Sequence, residues 1–132
     1  MRNVWLAGLV AAVAVGSVAG QTKKHRSGWF QQARWGVFTH YLADVVAEGP
    51  STSVERWNEC VNGFDVERMA RQLERAGAGY YVITLGQNSG HYIAPNAAYD
   101  AFTGIRPSKC ARRDLVADLY RALAARGIRL MV

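Results

Sequence analysis

The sequence predicts an α/β protein whose strands run parallel. Three observations point to it. Short β-prone runs at residues 35–39, 80–85 and 128–132 alternate with two segments of helical period. The middle run, "YYVITL", is apolar nearly throughout, which suits a strand in a parallel sheet covered by helices. The resulting order, strand, helix, strand, helix, strand, argues right-handed crossover connections.

Each element has a local cause. "WGVFT" at 35–39 is a β-prone run that ends at His40 and Tyr41. Residues 43–63 read as irregular, with Gly49-Pro50-Ser51 as a turn signal. In "FDVERMARQLERAG" the residues Val66, Met69, Ala70, Leu73 and Ala76 recur at helical spacing. Asp65 stands ready as N-cap and Gly77 as the residue beyond the C-terminus. After the second strand the text "GQNSGHY" opens a long loop, about Gly86 to Ala111. That is far more than the roughly 2–6 residues a strand-to-helix connection takes, and such loops tend to carry function. From Arg113 to Arg126 a second amphipathic helix shows Leu115, Val116, Leu119, Ala122 and Leu123 on one face, and Gly127 stops it. The final strand, "IRLMV", runs to Val132. Three parallel strands cannot close into a barrel and would leave unpaired edges. We therefore expect the N-terminal piece of a longer protein, with a complete small open sheet as the competing architecture.

Residues 1–19 are a different kind of text. Arg2 is followed by an apolar run from Val4 to Val15, and Ser17-Val18-Ala19 offers small residues where a signal peptidase reads. The run falls short of the about 20 residues that span a bilayer. We read residues 1–19 as a cleaved signal peptide, residues 20–34 as a linker and N-terminal segment, and residues 35–132 as the folded part. The expected location is secreted or periplasmic, with no stable membrane anchor after cleavage. Retention as an anchor is the rival reading. Export would expose Cys60 and Cys110 to oxidation, so they are candidates for one disulfide, or equally for two separate small apolar residues.

The chain of 132 residues carries a formal charge of +6. Apart from Lys23 to Arg26 its positive residues are scattered, without the basic stripe that nucleic-acid binding requires, so no nucleic-acid partner is expected. No G-x-G-x-x-G follows the first strand, and "GQNSG" lacks the Lys-Ser/Thr ending of a phosphate loop. A nucleotide-binding sheet is thus weakly supported, and no cofactor is expected. His25, His40 and His91 stand alone in sequence, so no metal site is expected.

In a βα barrel the active site lies at the C-terminal ends of the strands. His40 and Tyr41 follow the first strand; Gln87, Asn88, Ser89 and His91 follow the second. Such side chains suit a carbohydrate: polar groups bond hydroxyls, while Trp57, Tyr41 and Tyr92 could stack on a sugar's apolar face. Each has a plainer reading. His40 can be satisfied by a backbone carbonyl, Gln87-Asn88-Ser89 can form a turn held by side-chain bonds, and Trp57 can be a packed aromatic. Asp100 and Asp114 look structural or capping. Glu55 and Glu59 are the only acids near the expected rim, and their spacing proves no acid/base pair.

These segments resemble a known family. "WFQQARWGVFTHY" is similar to the opening of the α-L-fucosidases of glycoside hydrolase family 29, whose first strand reads much like F-G-I-F-x-H-W-G. "FDVERMARQLERAGAGYYVITLGQNSG" resembles that family's next helix and strand, which continue as T-x-K-H-H-D-G-F. "RRDLVADLYRALAARGIRLMV" resembles its R-D-hydrophobic-V helix and third strand. The likeness runs in order over Gly28 to Val132. It implies the N-terminal portion, about three strands and two helices, of a (β/α)8 TIM barrel that performs retaining hydrolysis. By the same likeness His40 matches a sugar-contacting histidine, and Trp57 matches the Trp of a Glu-Trp pair that lines the pocket. Gln87 and Asn88 stand where two adjacent sugar-binding histidines belong, and Ser89 where Asp belongs. Arg56 replaces the Glu, and Tyr41 replaces the Trp after the first histidine, so the pocket departs from a standard fucose pocket. Retaining hydrolysis uses two carboxylates about 5–5.5 Å apart. The resemblance places both beyond residue 132, so no catalytic residue is assigned and this polypeptide alone is expected to be inactive. A non-catalytic carbohydrate-binding barrel and an unrelated α/β nucleotide binder are the alternatives.

Overall fold

The computed structural model describes residues 27–47 and 52–132. The expected signal peptide and the Gly49-Pro50-Ser51 turn signal lie outside the described residues. Three strands, β1 (Gly36–Thr39), β2 (Tyr80–Ile83) and β3 (Arg129–Met131), form one parallel sheet in the order β1-β2-β3. The protein is thus of the α/β class, with a small open sheet. Six helices accompany it among the described residues: α1 (Gly28–Ala33), α2 (Ala43–Val46), α3 (Val54–Asn62), α4 (Val66–Ala76), α5 (Ala97–Thr103) and α6 (Leu115–Ala124).

The helix ends follow from side chains that satisfy otherwise orphaned backbone N–H groups. Asp65 accepts from the Arg68 N–H, Asp114 from the Ala117 N–H, and Ser53 from the Arg56 N–H. Gly77 closes α4 at φ 73°, a left-handed conformation that a side chain would strain.

Strand alternation sends Val37, Tyr81, Ile83 and Leu130 to one face of the sheet, where Leu73, Leu115, Leu119 and Leu123 of α4 and α6 complete the core with Trp57 and Val61 of α3. Tyr81 and Ile83 are fully buried there. The other face carries Gly36, Phe38, Tyr80, Val82, Arg129 and Met131. At its N-terminal end α1 lies across it: the Phe30 and Trp29 rings stand 5.0 and 6.2 Å from Tyr80, and the Arg129 guanidinium sits 4.7 Å from the Trp29 ring centroid. Toward the C-terminal end the face is open, with Phe38 56% and Met131 39% exposed. A Cβ on Gly36 would fall into the Tyr80 ring, so glycine in "WGVF" is what lets α1 and Tyr80 close that end.

Three expectations are corrected. Residues 43–63 are not irregular: α2 and α3 occupy most of the described part, and α3 contributes Trp57, Asn58 and Val61 to the interior. The loop from Gly86 to Ala111 contains α5 and two bridges, Gly86 with Tyr92 and Tyr92 with Cys110. Part of the 20–34 segment, read as linker and N-terminal segment, is helix α1 rather than linker. No helix among the described residues is long and apolar enough to cross a membrane.

Candidate functional site

The parallel register, Thr39 opposite Ile83, brings the exits of β1 and β2 to the same end of the sheet. They are tied there: the Tyr41 N–H donates to Thr84 Oγ1 at 3.0 Å. Beyond Thr84 the chain leaves the ladder, and the Ile93 N–H returns to the Leu85 carbonyl at 2.9 Å. Between these points lies a turn closed by Gly90 N–H to the Gln87 carbonyl at 2.9 Å. Gly86 admits the returning chain, since a Cβ there would stand 2.7 Å from the His91 carbonyl oxygen.

Alternation then divides the predicted site residues into two groups. His40 continues the open face beyond β1, exposed, with its ring 4.6 Å from that of Phe38. Gln87 and Asn88 are also exposed at this end. Tyr41, one residue on from His40, turns to the helical layer. It packs on Trp57 and Phe64 at 5.8 and 5.1 Å and donates its hydroxyl to the Cys60 carbonyl at 2.8 Å. Burial first, then the neighbouring Cys60, push the Tyr41 hydroxyl up to about 12, so it stays a donor. Trp57 is fully buried and gives its indole N–H to the Tyr92 carbonyl at 2.9 Å. Trp57 thus takes the plainer role of a packed aromatic, and Tyr41, half-buried, packs against it. The Tyr92 ring lies 4.6 Å from that of Tyr99, tilted by 54°. Ser89 takes the plainer role too, its Oγ accepting from the His91 N–H at 3.4 Å.

His91 belongs to the buried group. It is 4% exposed, its ring lies 5.9 Å from that of Trp57, and neither ring nitrogen has a hydrogen-bond partner. Burial, then the Lys109 ammonium, hold its pKa below the ordinary histidine value, with Asp44 opposing. The folded state thus binds this proton less readily than the unfolded chain does. Stability is fully present above the unfolded value of about 6.5 and is lost as pH falls below it toward the folded value. We expect the urea midpoint to fall between pH 7.5 and pH 5, and His91→Phe to flatten that decline. An equally steep decline in the variant would remove His91 as its source.

The cysteines are unpaired. Cys60 Sγ lies 3.5 Å from the Val46 carbonyl, Cys110 is buried, and neither forms a disulfide in this structure. Glu59 meets Arg56 at 3.1 Å on the surface, and Glu55 is exposed. No group of three His, Cys, Asp or Glu side chains that could hold a metal ion exists among the described residues. Two surface hollows, of about 370 and 260 Å³, share Trp29, Gly127 and Arg129 and lie at the opposite, N-terminal end of the strands.

Sequence reasoning missed two residues around the loop. Lys109 donates from Nζ to the Ser89 carbonyl at 3.0 Å. Asn58, 5% exposed, joins α3 to the segment before α6. Its Nδ2 donates to the Val54 carbonyl and its Oδ1 accepts the Arg112 N–H, both at 2.8 Å. Asn58 sits at helical spacing with Val54, Trp57 and Val61, a signal that could have placed it inside.

No model of a known protein family matches the chain, and no curated protein or solved structure matches it either.

Proposed function

We propose that this chain is the N-terminal part of an exported, α-L-fucosidase-like glycoside hydrolase, folded as the opening strands of a (β/α)8 barrel. The observation that carries the reading is the shared exit of β1 and β2. It gathers the exposed polar side chains of His40, Gln87 and Asn88 at one end of the sheet, the end at which barrel enzymes bind substrate. The open face bearing Phe38 and Met131 supports it further, because parallel sheets bury both faces in complete proteins. The order β1-β2-β3 is shared by a barrel and by the first half of some doubly wound sheets, so motif resemblance rather than topology selects the barrel.

In this reading His40, Gln87 and Asn88 bond sugar hydroxyls, and the two carboxylates of retaining hydrolysis come from later strands. Gln and Asn offer donors and acceptors without titrating. They can bind a neutral glycoside but cannot shuttle its proton. The test has two parts. Titration of residues 1–132 with L-fucose, followed by amide NMR, is expected to shift the signals of His40, Gln87 and Asn88. The product of the whole reading frame is expected to release nitrophenol from 4-nitrophenyl α-L-fucoside, and residues 1–132 alone are not. Binding without release by the whole product would favour a non-catalytic carbohydrate-binding barrel. Neither binding nor release would overturn the carbohydrate reading.

A further inference from the structure

We infer that Lys109 is a positioning residue for the Gln87–Gly90 turn, bracing from beneath the loop that presents Gln87 and Asn88. This rests on reading that rim as a glycoside site. Lys109 meets the loop at three places. Its ammonium donates to the Ser89 carbonyl at 3.0 Å, and its own carbonyl accepts the Tyr92 N–H at 3.3 Å. Its Cδ lies 3.7 Å from where a Cβ on Gly90 would be, so the stem runs along the turn. Gly90 adopts φ 74°, which leaves the turn with a residue of little conformational preference at its tightest point. A charge-assisted bond to the adjoining carbonyl supplies the constraint that the glycine does not.

The same ammonium bears on His91 beside it. His91 packs on Trp57, and the charges that act on it are Lys109 and, opposing it, Asp44. Lys109 thus fixes the turn and helps keep the buried imidazole neutral, so the loop and its floor depend on one side chain.

Lys109→Met keeps the stem and removes the charge; Lys109→Arg restores it. In the Met variant hydrogen exchange at the amides of residues 87–91 should speed up about tenfold, as expected for losing one charged hydrogen bond, with the Arg variant close to the original. The His91 ring should titrate at higher pH in the Met variant and near the original in the Arg variant, a contrast that separates loss of the charge from loss of packing around the buried ring. Lys109→Gln serves if the Met variant does not fold. Unchanged exchange and unchanged His91 titration in a folded variant would overturn the inference. L-fucose supplies the separate arm. If the original chain does not bind it, the carbohydrate reading fails, while exchange and titration still decide the role of Lys109.

Discussion

Trp57→Ala is expected to lower the free energy of unfolding by about 3–5 kcal/mol, read by urea denaturation at pH 7.5. The side chain is fully buried between Tyr41 and His91, so truncation opens a cavity that three elements would have to collapse to fill. A second cost adds to it. The Tyr92 carbonyl loses the indole N–H that it accepts at 2.9 Å, at the point where the loop returns past Gly86. Trp57→Phe separates the two effects. It keeps much of the volume and removes only the donor, and the Tyr92 carbonyl still accepts the Ala111 N–H at 2.9 Å, so its loss should be nearer about 1 kcal/mol, the net worth of one hydrogen bond. A loss below about 1 kcal/mol for the Ala variant would place Trp57 outside the core and return it to the ligand side.

That outcome matters because Trp57 is where the sequence was easiest to misread. Motif resemblance matched it to a pocket-lining tryptophan, and its type suits sugar stacking. Its burial depends on Tyr92 and His91, more than thirty positions away, and no local pattern reports that. The parity of the first strand, in contrast, was readable. His40 and Tyr41 must point to opposite faces, and only one of them can share a surface with Phe38. The helices with regular apolar period and terminal caps, α4 and α6, were legible for the same local reason, as was the parallel sheet they cover. Helix α3 was legible only in the spacing of Val54, Trp57 and Val61, because its inward stripe also includes Asn58, whose polar group is satisfied by Val54 and by the Arg112 N–H of a distant segment. Helix α5 buries no residue, so it leaves no hydrophobic period to detect; only Asn96 and Gly104 mark its ends. Strand β2 is shorter than its apolar run because the Leu85 carbonyl accepts from the returning Ile93 N–H instead of from a ladder partner.

Arg113→Met should cost about 2–3 kcal/mol, and the reason is the nature of its partners. One terminal nitrogen, NH1, donates to the carbonyls of Val61 at 2.9 Å and of Asn62 and Phe64 at 3.1 Å, where α3 ends and the chain turns toward α4. Its Nε donates to Asp118 at 2.7 Å, which holds the guanidinium in place. Backbone carbonyls fixed by a helix cannot move to another donor, and a charged donor at a helix C-terminus also complements the helix dipole. Arg126 provides the contrast. It bridges Glu67 and Glu74 at 2.8 and 3.3 Å, but both carboxylates are more than half exposed. Such surface pairs contribute about 0–1 kcal/mol, so neutralising Glu67 and Glu74 should barely register. Arg113→Lys should recover little, because one ammonium cannot serve the three carbonyls and Asp118 in the fork geometry of a guanidinium. Acid titration gives a second readout. The bond from Arg113, its leading cause, holds the Asp118 carboxyl below the usual carboxylate range. Its contribution is therefore present above the unfolded value of about 3.9 and disappears as pH falls toward the folded value. Arg113→Met should lose that part of the acid dependence as well as its stability at neutral pH. If the variant were as stable as the original at pH 7, the end of α3 would have to be held by something other than this guanidinium.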